Sequence, residues 1–455
     1  MTEGLMSGLS RRIFFNTFGC KTNQYDSALL KQSVEEEGFV ITEDFSSADW
    51  VVVNTCAVTR RGEDKACQWV RRVGREHPGA KIAVVGCSVE VSAGRFSRLP
   101  GVRLLLGTEE KFRLGRILTG LDETGPGYQV EPACQSGLAS RLERYPSTPV
   151  LRAHVGRARA FVKIQDGCDN RCTYCIVPFA RGPSRSRLPD EIVREVKTLE
   201  EAGHCEAVLT GIHIGRYGSD LPRPLALASL VEKLLNQTSA IRFRLSSLEV
   251  GELDQRLLEL LSGERRLCRH LHIPLQHGSA GVLRRMGRTY TPQHYREAID
   301  KVTGRIHSPG LGTDIIVGFP GETREEFEEC FNFIASLPFT YMHIFPYSPR
   351  PGTQAAEFDN RIPKNILRER IKVLHEVSDR KKNSFLEGLA GSRLRVIGES
   401  RLGSGIAVCR ADNYVRVYCR ECPLSGGFFD LVAENPWRDG VWGSLPHEGA
   451  SAQDR

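Results

Sequence analysis

At 455 residues, with 40% hydrophobic and 26% charged side chains, the chain has the composition of a globular protein of two or three domains, which excludes a disordered or fibrous one. No apolar run approaches the roughly 18 residues of a membrane span, and Met1 to Arg12 lacks the apolar stretch of a secretory leader, so the reading is cytoplasmic with no membrane partner. A formal net charge of +7 permits a nucleic-acid partner without requiring one, and the fourteen cysteines of a chain in a reducing compartment are candidates for metal rather than disulfides.

The predicted fold class is α/β throughout the first two parts of the chain. Residues 11–117 alternate apolar runs (Ile13 to Phe18, Trp50 to Val53, Lys81 to Gly86) with helical patterns at Asp26 to Glu37 and Ala66 to Glu76, as in an open parallel α/β sheet domain. Residues 118–153 carry Gly, Pro and Ser without periodicity and read as a linker. Residues 154–389 hold six apolar runs: Phe161 to Gln165, Glu206 to Thr210, Ile241 to Ser246, His270 to Leu275, Thr313 to Val317 and Tyr341 to Phe345. Each is separated from the next by enough chain for a helix, with Pro189 to Ala202 and Thr323 to Leu337 the clearest, which predicts a partial (β/α)6 barrel with function at the C-terminal strand ends. A charged helix is expected from Pro363 to about Leu389, a small β-barrel over 390–440, and a disordered tail over 441–455.

Directly after the first barrel strand, Gly167-Cys168-Asp169-Asn170-Arg171-Cys172-Thr173-Tyr174-Cys175 spaces three thiols as C-x3-C-x2-C. Three thiolates from one loop hold three irons of a [4Fe–4S] cluster and leave the fourth iron open to a ligand. A structural zinc site is the alternative, but zinc normally takes four ligands in paired knuckles. The motif resembles the radical SAM superfamily, in which S-adenosylmethionine (SAM) chelates the open iron and is split to methionine and a 5′-deoxyadenosyl radical. That resemblance implies SAM contacts from Tyr174, from Thr210 and Gly211, from Ser246, Ser247 and Glu249, from Gln276, and from Gly318, Phe345 and Pro346.

Cys20, Cys56 and Cys87 each fall just past a predicted strand of the first domain, so parallel strands bring them to one sheet edge as a second three-cysteine site, with buried core thiols as the alternative. Together with Phe18-Gly19-Cys20-Lys21-Thr22-Asn23-Gln24-Tyr25, Asn54-Thr55-Cys56-Ala57-Val58-Thr59, Val85-Gly86-Cys87, Ala180-Arg181-Gly182 and His272-Ile273-Pro274-Leu275-Gln276, the arrangement resembles the radical SAM methylthiotransferase family. The resemblance runs from about Arg12 to Leu431 and implies an N-terminal methylthiotransferase domain, a radical SAM domain and a C-terminal TRAM barrel. It further implies two [4Fe–4S] clusters, with SAM serving as both methyl donor and radical source, a reducing electron donor, and a tRNA anticodon stem-loop as substrate.

The Gly19 to Tyr25 stretch most resembles the subgroup acting on N6-threonylcarbamoyladenosine, 3′-adjacent to the anticodon. The alternatives are N6-isopentenyladenosine in tRNA, an aspartate of a ribosomal protein and, from another class, a non-catalytic iron–sulfur RNA-binding protein. Ser88-Val89-Glu90 and His277 depart from the family pattern. Cys419 and Cys422 read as packing thiols or a zinc half-site, and Cys67, Cys134, Cys205, Cys268, Cys330 and Cys409 as packing residues. Arg152, Arg157, Arg159, Lys163, Arg181, Arg185 and Arg187 offer phosphate contacts or a solvated face, while Arg393, Arg395, Arg401, Arg410, Arg416 and Arg420 lean towards RNA.

Overall fold

The computed structural model describes residues 11–123, 142, 144–146, 148–154, 156–420, 422–424 and 427–446. The chain opens with β1 (Arg12–Thr17), α1 (Lys21–Glu36), β2 (Val40–Ile41), β3 (Trp50–Thr55), α2 (Arg60–Glu76), β4 (Lys81–Gly86), α3 (Cys87–Phe96), β5 (Val102–Leu106) and α4 (Leu114–Glu123). These strands form one parallel sheet in the order β2-β1-β3-β4-β5. Val51 to Val53 and Ile82 to Val85 are buried on both faces because helices cover both, which is why the strands read as unbroken apolar runs. The linker expected from residue 118 begins inside α4, where Leu114 and Leu118, four apart and hence on one helix face, are buried against the sheet. Much of the rest of that linker, Cys134 included, lies outside the described residues.

The second part runs through β6 (Arg159–Lys163), β7 (Gln165–Asp166), α5 (Val177–Arg181), β8 (Arg185–Ser186), α6 (Pro189–Glu201), β9 (Glu206–Thr210), α7 (Leu227–Gln237), β10 (Arg242–Leu245) and α8 (Gln255–Gly263). It continues with β11 (His270–His272), α9 (Ala280–Arg285), α10 (Pro292–Thr303), β12 (Gly310–Val317), α11 (Arg324–Ser336), β13 (Tyr341–Pro346) and α12 (Lys364–Glu387). Parallel ladders β6-β9-β10 and β11-β12-β13, joined by a bridge between Ser247 and His272, make a six-stranded open arc with helices packed outside it. Local chemistry sets the helix ends. Pro189 occupies the first turn of α6, and Thr323 and Glu326 form a reciprocal capping box at α11.

β14 (Arg393–Arg401), β15 (Ala407–Ala411), β16 (Arg416–Cys419), β17 (Phe429–Trp437) and β18 (Gly440–Ser444) close into a barrel in the order β14-β15-β16-β18-β17. The segment expected to be a disordered tail therefore supplies the closing strand. Val441 is fully buried and β18 pairs with both β16 and β17, which removes the edges an open sheet would expose. Of that tail, residues 447–455 lie outside the described residues.

This barrel docks on the N-terminal ends of the six-stranded arc, opposite the cysteine loop. Tyr414 stacks on His270 at 4.4 Å, and Arg242 and Arg244 donate to the carbonyls of Arg395, Arg410, Ala411 and Asp412. Both guanidiniums are held by the buried carboxylate of Glu206. The barrel's arginines are largely committed within the chain: Arg395 to Asp430, Arg401 to the Gly405 and Cys422 carbonyls, Arg410 to Glu399, and Arg416 to Asp439. Arg393 and Arg420 are exposed.

Candidate active site

Three cysteines follow the parallel strands of the first sheet: Cys20 caps α1 after β1, Cys56 follows β3, and Cys87 opens α3 after β4. Gly19 has φ +116°, and a Cβ there would stand 2.7 Å from the Cβ of Cys56, so the turn that presents Cys20 closes directly on its neighbour. Burial, then the neighbouring Cys87 and Cys20 sulfurs, push the Cys56 thiol up to about 12. Such thiols are protonated until a cation displaces the protons, which is the behaviour of a metal-binding set.

The second trio sits on the loop after β7. Gly167 has φ +75°, and a Cβ there would lie 1.8 Å from the Pro183 carbonyl oxygen; the Cys168 N–H donates to the Gly182 carbonyl at 3.0 Å. Arg288 Nη1 donates to Cys172 Sγ at 3.2 Å and pairs with Glu249, and His213 Nδ1 lies 3.6 Å from Cys168 Sγ. Three sulfurs on one tight loop, with a cation alongside, suit an anionic thiolate-ligated cluster. Gly167→Ala is expected to prevent this loop from closing. The measurement is iron content and the cluster absorbance after anaerobic reconstitution, with about four irons per chain lost; full iron loading would show that the turn tolerates a side chain.

Of the other sequence-predicted residues, Tyr174, Gln276, Phe345 and Pro346 line one cavity of about 180 Å³ together with Cys175, Ile316 and Asp314 and with Val58 and Thr59 from the first sheet's Cys56 loop. Gln276 holds φ 66°, its N–H donating to Asp314 and its carbonyl accepting from Ile316. Glu249 lines a separate, larger cavity of about 1070 Å³ with Cys172, His213 and Arg288. Thr210 and Ser246 are buried at the ends of adjoining strands, and Ser247 bridges to His272. Gly211 packs against the backbone of Gln165, whose side-chain oxygen accepts the N–H groups of Ile212 and His213. A Cβ on Gly318 would meet Leu367 at 2.6 Å, so that residue faces a hydrophobic side chain at the foot of α12.

Two groups escape a sequence reading. The first is a fully buried charge network between the two cysteine trios. Lys111 and Lys163 bind Asp26 at 2.5 and 2.7 Å, Lys163 also binds Asp166 at 3.0 Å, and Arg181 binds Asp166 at 2.8 Å and Asn23 at 2.6 Å. Arg181 Nε then donates to Cys87 Sγ at 3.2 Å. Burial would raise the Asp26 carboxyl, but Lys111, Lys163 and Arg181 hold it below the usual carboxylate range. Three cations against two carboxylates leave one positive charge beside Cys87, the complement of three thiolates around a [4Fe–4S] core.

The reading of Lys163, Arg181, Arg185 and Arg187 as phosphate contacts is thereby corrected. All four are at most 2% exposed, with Arg185 on the half-buried Glu109 and Arg187 on the buried Glu195, so each is paired with a carboxylate within the chain. Arg159 pairs with Glu399 at 2.6 Å, and Arg152 and Arg157 remain at the surface, on Glu36 and Gln24. The departures are structural: Glu90 accepts from Thr108, and buried His277 faces Glu322.

The second group is His272, Asp314 and His343 on neighbouring strands of the arc. The Asp314 carboxylate lies 3.1 Å from His272 Nε2 and 3.0 Å from His343 Nδ1, and His343 is solvent-exposed. Side chains two apart on β12 share a face, so Asp314 and Ile316 point to the same side, towards the cavity beneath Cys175.

Residues 162–334 match the family model described as Radical SAM superfamily, and residues 12–107 match the one described as Uncharacterized protein family UPF0004. The chain is 36% identical over 411 residues to the threonylcarbamoyladenosine tRNA methylthiotransferase of Bacillus subtilis (strain 168), with 89% of each chain covered. It is 32% identical over 439 residues to the tRNA-2-methylthio-N(6)-dimethylallyladenosine synthase of Desulfitobacterium hafniense (strain Y51), covering 94% of this chain and 96% of the other. Among solved structures, the radical S-adenosylmethionine methyltransferase TsrM from Kitasatospora setae shares the fold, with a TM-score of 0.56 at 15% identity over 76% of this chain and 77% of that one. Among the described residues no helix is long and apolar enough to cross a membrane.

Proposed function

The chain belongs to the radical SAM methylthiotransferase family, and from that premise we infer that it converts N6-threonylcarbamoyladenosine in tRNA to the 2-methylthio derivative. It is an enzyme that uses SAM and [4Fe–4S] chemistry on a tRNA substrate. The finer reading is that the nucleotide is the one 3′ of the anticodon, presented by the anticodon stem-loop in the cytoplasm, with a cellular reductant supplying electrons. The observation that supports this best is the convergence of segments next to both cysteine trios, Val58-Thr59 and Tyr174-Cys175, on one cavity.

When bound, the clusters and SAM supply a methylated sulfur and the radical that removes a hydrogen from the adenine. In this reading Cys20, Cys56 and Cys87 hold one cluster and Cys168, Cys172 and Cys175 the other. Arg181 and Arg288 each place a positive charge against a liganding sulfur, at Cys87 and Cys172. Tyr174 and the 40%-exposed Phe345 offer faces on which a flipped base stacks. The contacts of Asp314 to two histidines fix the His343 ring at the substrate side. Asp314→Asn is expected to leave iron content and SAM cleavage intact while lowering methylthiolated product per 5′-deoxyadenosine about a hundredfold, the cost of a misplaced substrate; unchanged coupling would remove this trio from the site.

The deciding experiment is mass spectrometry of tRNA nucleosides from a deletion strain. Loss of 2-methylthio-N6-threonylcarbamoyladenosine, restored by the wild-type gene, is the expected result. An unchanged level refutes the assignment, and loss of the 2-methylthio-isopentenyl nucleoside instead would transfer the chain to that subgroup.

A further inference from the structure

The C-terminal barrel contains a cysteine cluster that the methylthiolation chemistry does not use. Cys409 lies on β15, Cys419 ends β16, and Cys422 sits in the loop that follows. Their sulfurs all lie within 4.8 Å of one another, with Cys419 and Cys422 joined as a disulfide, their Cα atoms 6.2 Å apart, and Cys409 a free thiol beside them. All three side chains are at most 2% exposed. Of the sequence readings, packing thiols or a zinc half-site for Cys419 and Cys422 and a packing residue for Cys409, the half-site is the one that a third neighbouring thiol extends.

We propose that Cys409, Cys419 and Cys422 bind one zinc ion that staples the C-terminal barrel, a third metal centre separate from the two iron–sulfur sites. Cys419-Arg420-Glu421-Cys422-Pro423 has the C-x2-C spacing of a zinc knuckle, and β15 brings a third thiolate to it across an antiparallel ladder in which Ala407 faces Cys419. The spacing of the sulfurs is too tight for a four-iron cube and, once Cys419 and Cys422 are both thiolates, admits a single ion. Tetrahedral zinc with bonds of about 2.3 Å separates its sulfurs by about 3.8 Å, inside the observed limit, whereas a four-iron cube must hold its thiolates further apart.

The loop is shaped for the purpose. A Cβ on Gly398 would stand 2.4 Å from the Pro423 carbonyl, so the segment after Cys422 is pressed onto β14, and Arg401 Nη2 donates to the Cys422 carbonyl at 2.8 Å. That guanidinium also offsets the net negative charge of three thiolates around a divalent ion.

Need and chemistry agree. The barrel's interior is built from Leu394, Val396, Ala407, Val417, Leu431 and Val441 beside the three cysteines, a core small enough for a metal to add decisively to its stability. The Cys419–Cys422 disulfide uses two of the three sulfurs and leaves that of Cys409 buried beside it, and the proposal holds for the reduced pair. The disulfide would have to persist in a compartment reducing enough to drive SAM cleavage. Among the described residues no fourth cysteine, histidine or carboxylate joins the group, so the tetrahedral shell is completed by a non-protein oxygen.

The test uses the full-length protein purified anaerobically from zinc-supplemented cells. Elemental analysis is expected to give about one zinc per chain in addition to iron, retained when Cys56 and Cys175 are both replaced by Ala and lost in Cys419→Ser and in Cys409→Ser. X-ray absorption at the zinc edge is expected to show three sulfurs and one lighter atom. The proposal is overturned by absence of zinc from the wild-type chain, by zinc that survives both serine variants, by a first shell with fewer than three sulfurs, or by peptide mapping that finds Cys419 linked to Cys422. Because metal content and the absorption edge are read on the wild-type chain, a variant that fails to fold does not remove the test. Neither outcome touches the assignment of the tRNA reaction.

Discussion

Cys56→Ala is expected to lower the iron of the reconstituted enzyme from about eight to about four per chain and to abolish methylthiolated product, while 5′-deoxyadenosine still forms. The substitution keeps the Cβ against which Gly19 packs, so the sheet edge should survive and the loss should be confined to the metal site. The Cys168, Cys172 and Cys175 loop is held by its own contacts to Gly182, Met286 and Arg288, none of which involves Cys56. Iron analysis, high-performance liquid chromatography of SAM products and nucleoside mass spectrometry on one preparation make the comparison. If SAM cleavage and methylthiolation disappear together, with iron falling below four per chain, the two trios do not have separable tasks.

Arg181→Met is expected to cost about 3–5 kcal/mol of folding stability, because it removes the guanidinium that donates to both Asp166 oxygens and touches Asp26, leaving buried acceptors short of donors even though Lys111 and Lys163 still balance the two charges. The guanidinium spans the first sheet's helix α1, the strand β7 and Cys87, so the same change should also loosen the cluster held by Cys20, Cys56 and Cys87. Chemical denaturation of the metal-free chain gives the stability, and the rate of iron loss to a chelator gives the second effect. Adding Asp166→Asn should recover part of the stability by removing the buried carboxylate that has lost its guanidinium donor, the signature of direct coupling in a double-mutant cycle. A loss under 1 kcal/mol for Arg181→Met would show that solvent reaches the network.

How far the sequence reaches follows the range of the interactions. Apolar runs such as Trp50 to Val53 and Lys81 to Gly86 mark strands because an unbroken apolar run is a local property, and the C-x3-C-x2-C loop declares a candidate cluster site because all three thiols lie within eight residues. Cys20, Cys56 and Cys87 were also legible, since parallel strands necessarily finish on one edge. Arg181 was not: its partner Asp26 is 155 positions away, and an arginine bound for the interior has the same local sequence as one bound for phosphate.

The sequence by itself therefore determined the three-part order of the chain, the α/β character of its first two parts and both cysteine trios, because periodicity, turn glycines and ligand spacing are short-range. Only the tertiary structure decided which charges are buried, that Asp314 holds two histidines beneath the cysteine loop, that β18 closes the last barrel, and that Cys409 meets Cys419 and Cys422. Those contacts depend on where distant strands and loops come to rest against one another, and burial, which turns a surface arginine into a structural counterion or a stray thiol into a ligand, exists only once the chain is packed.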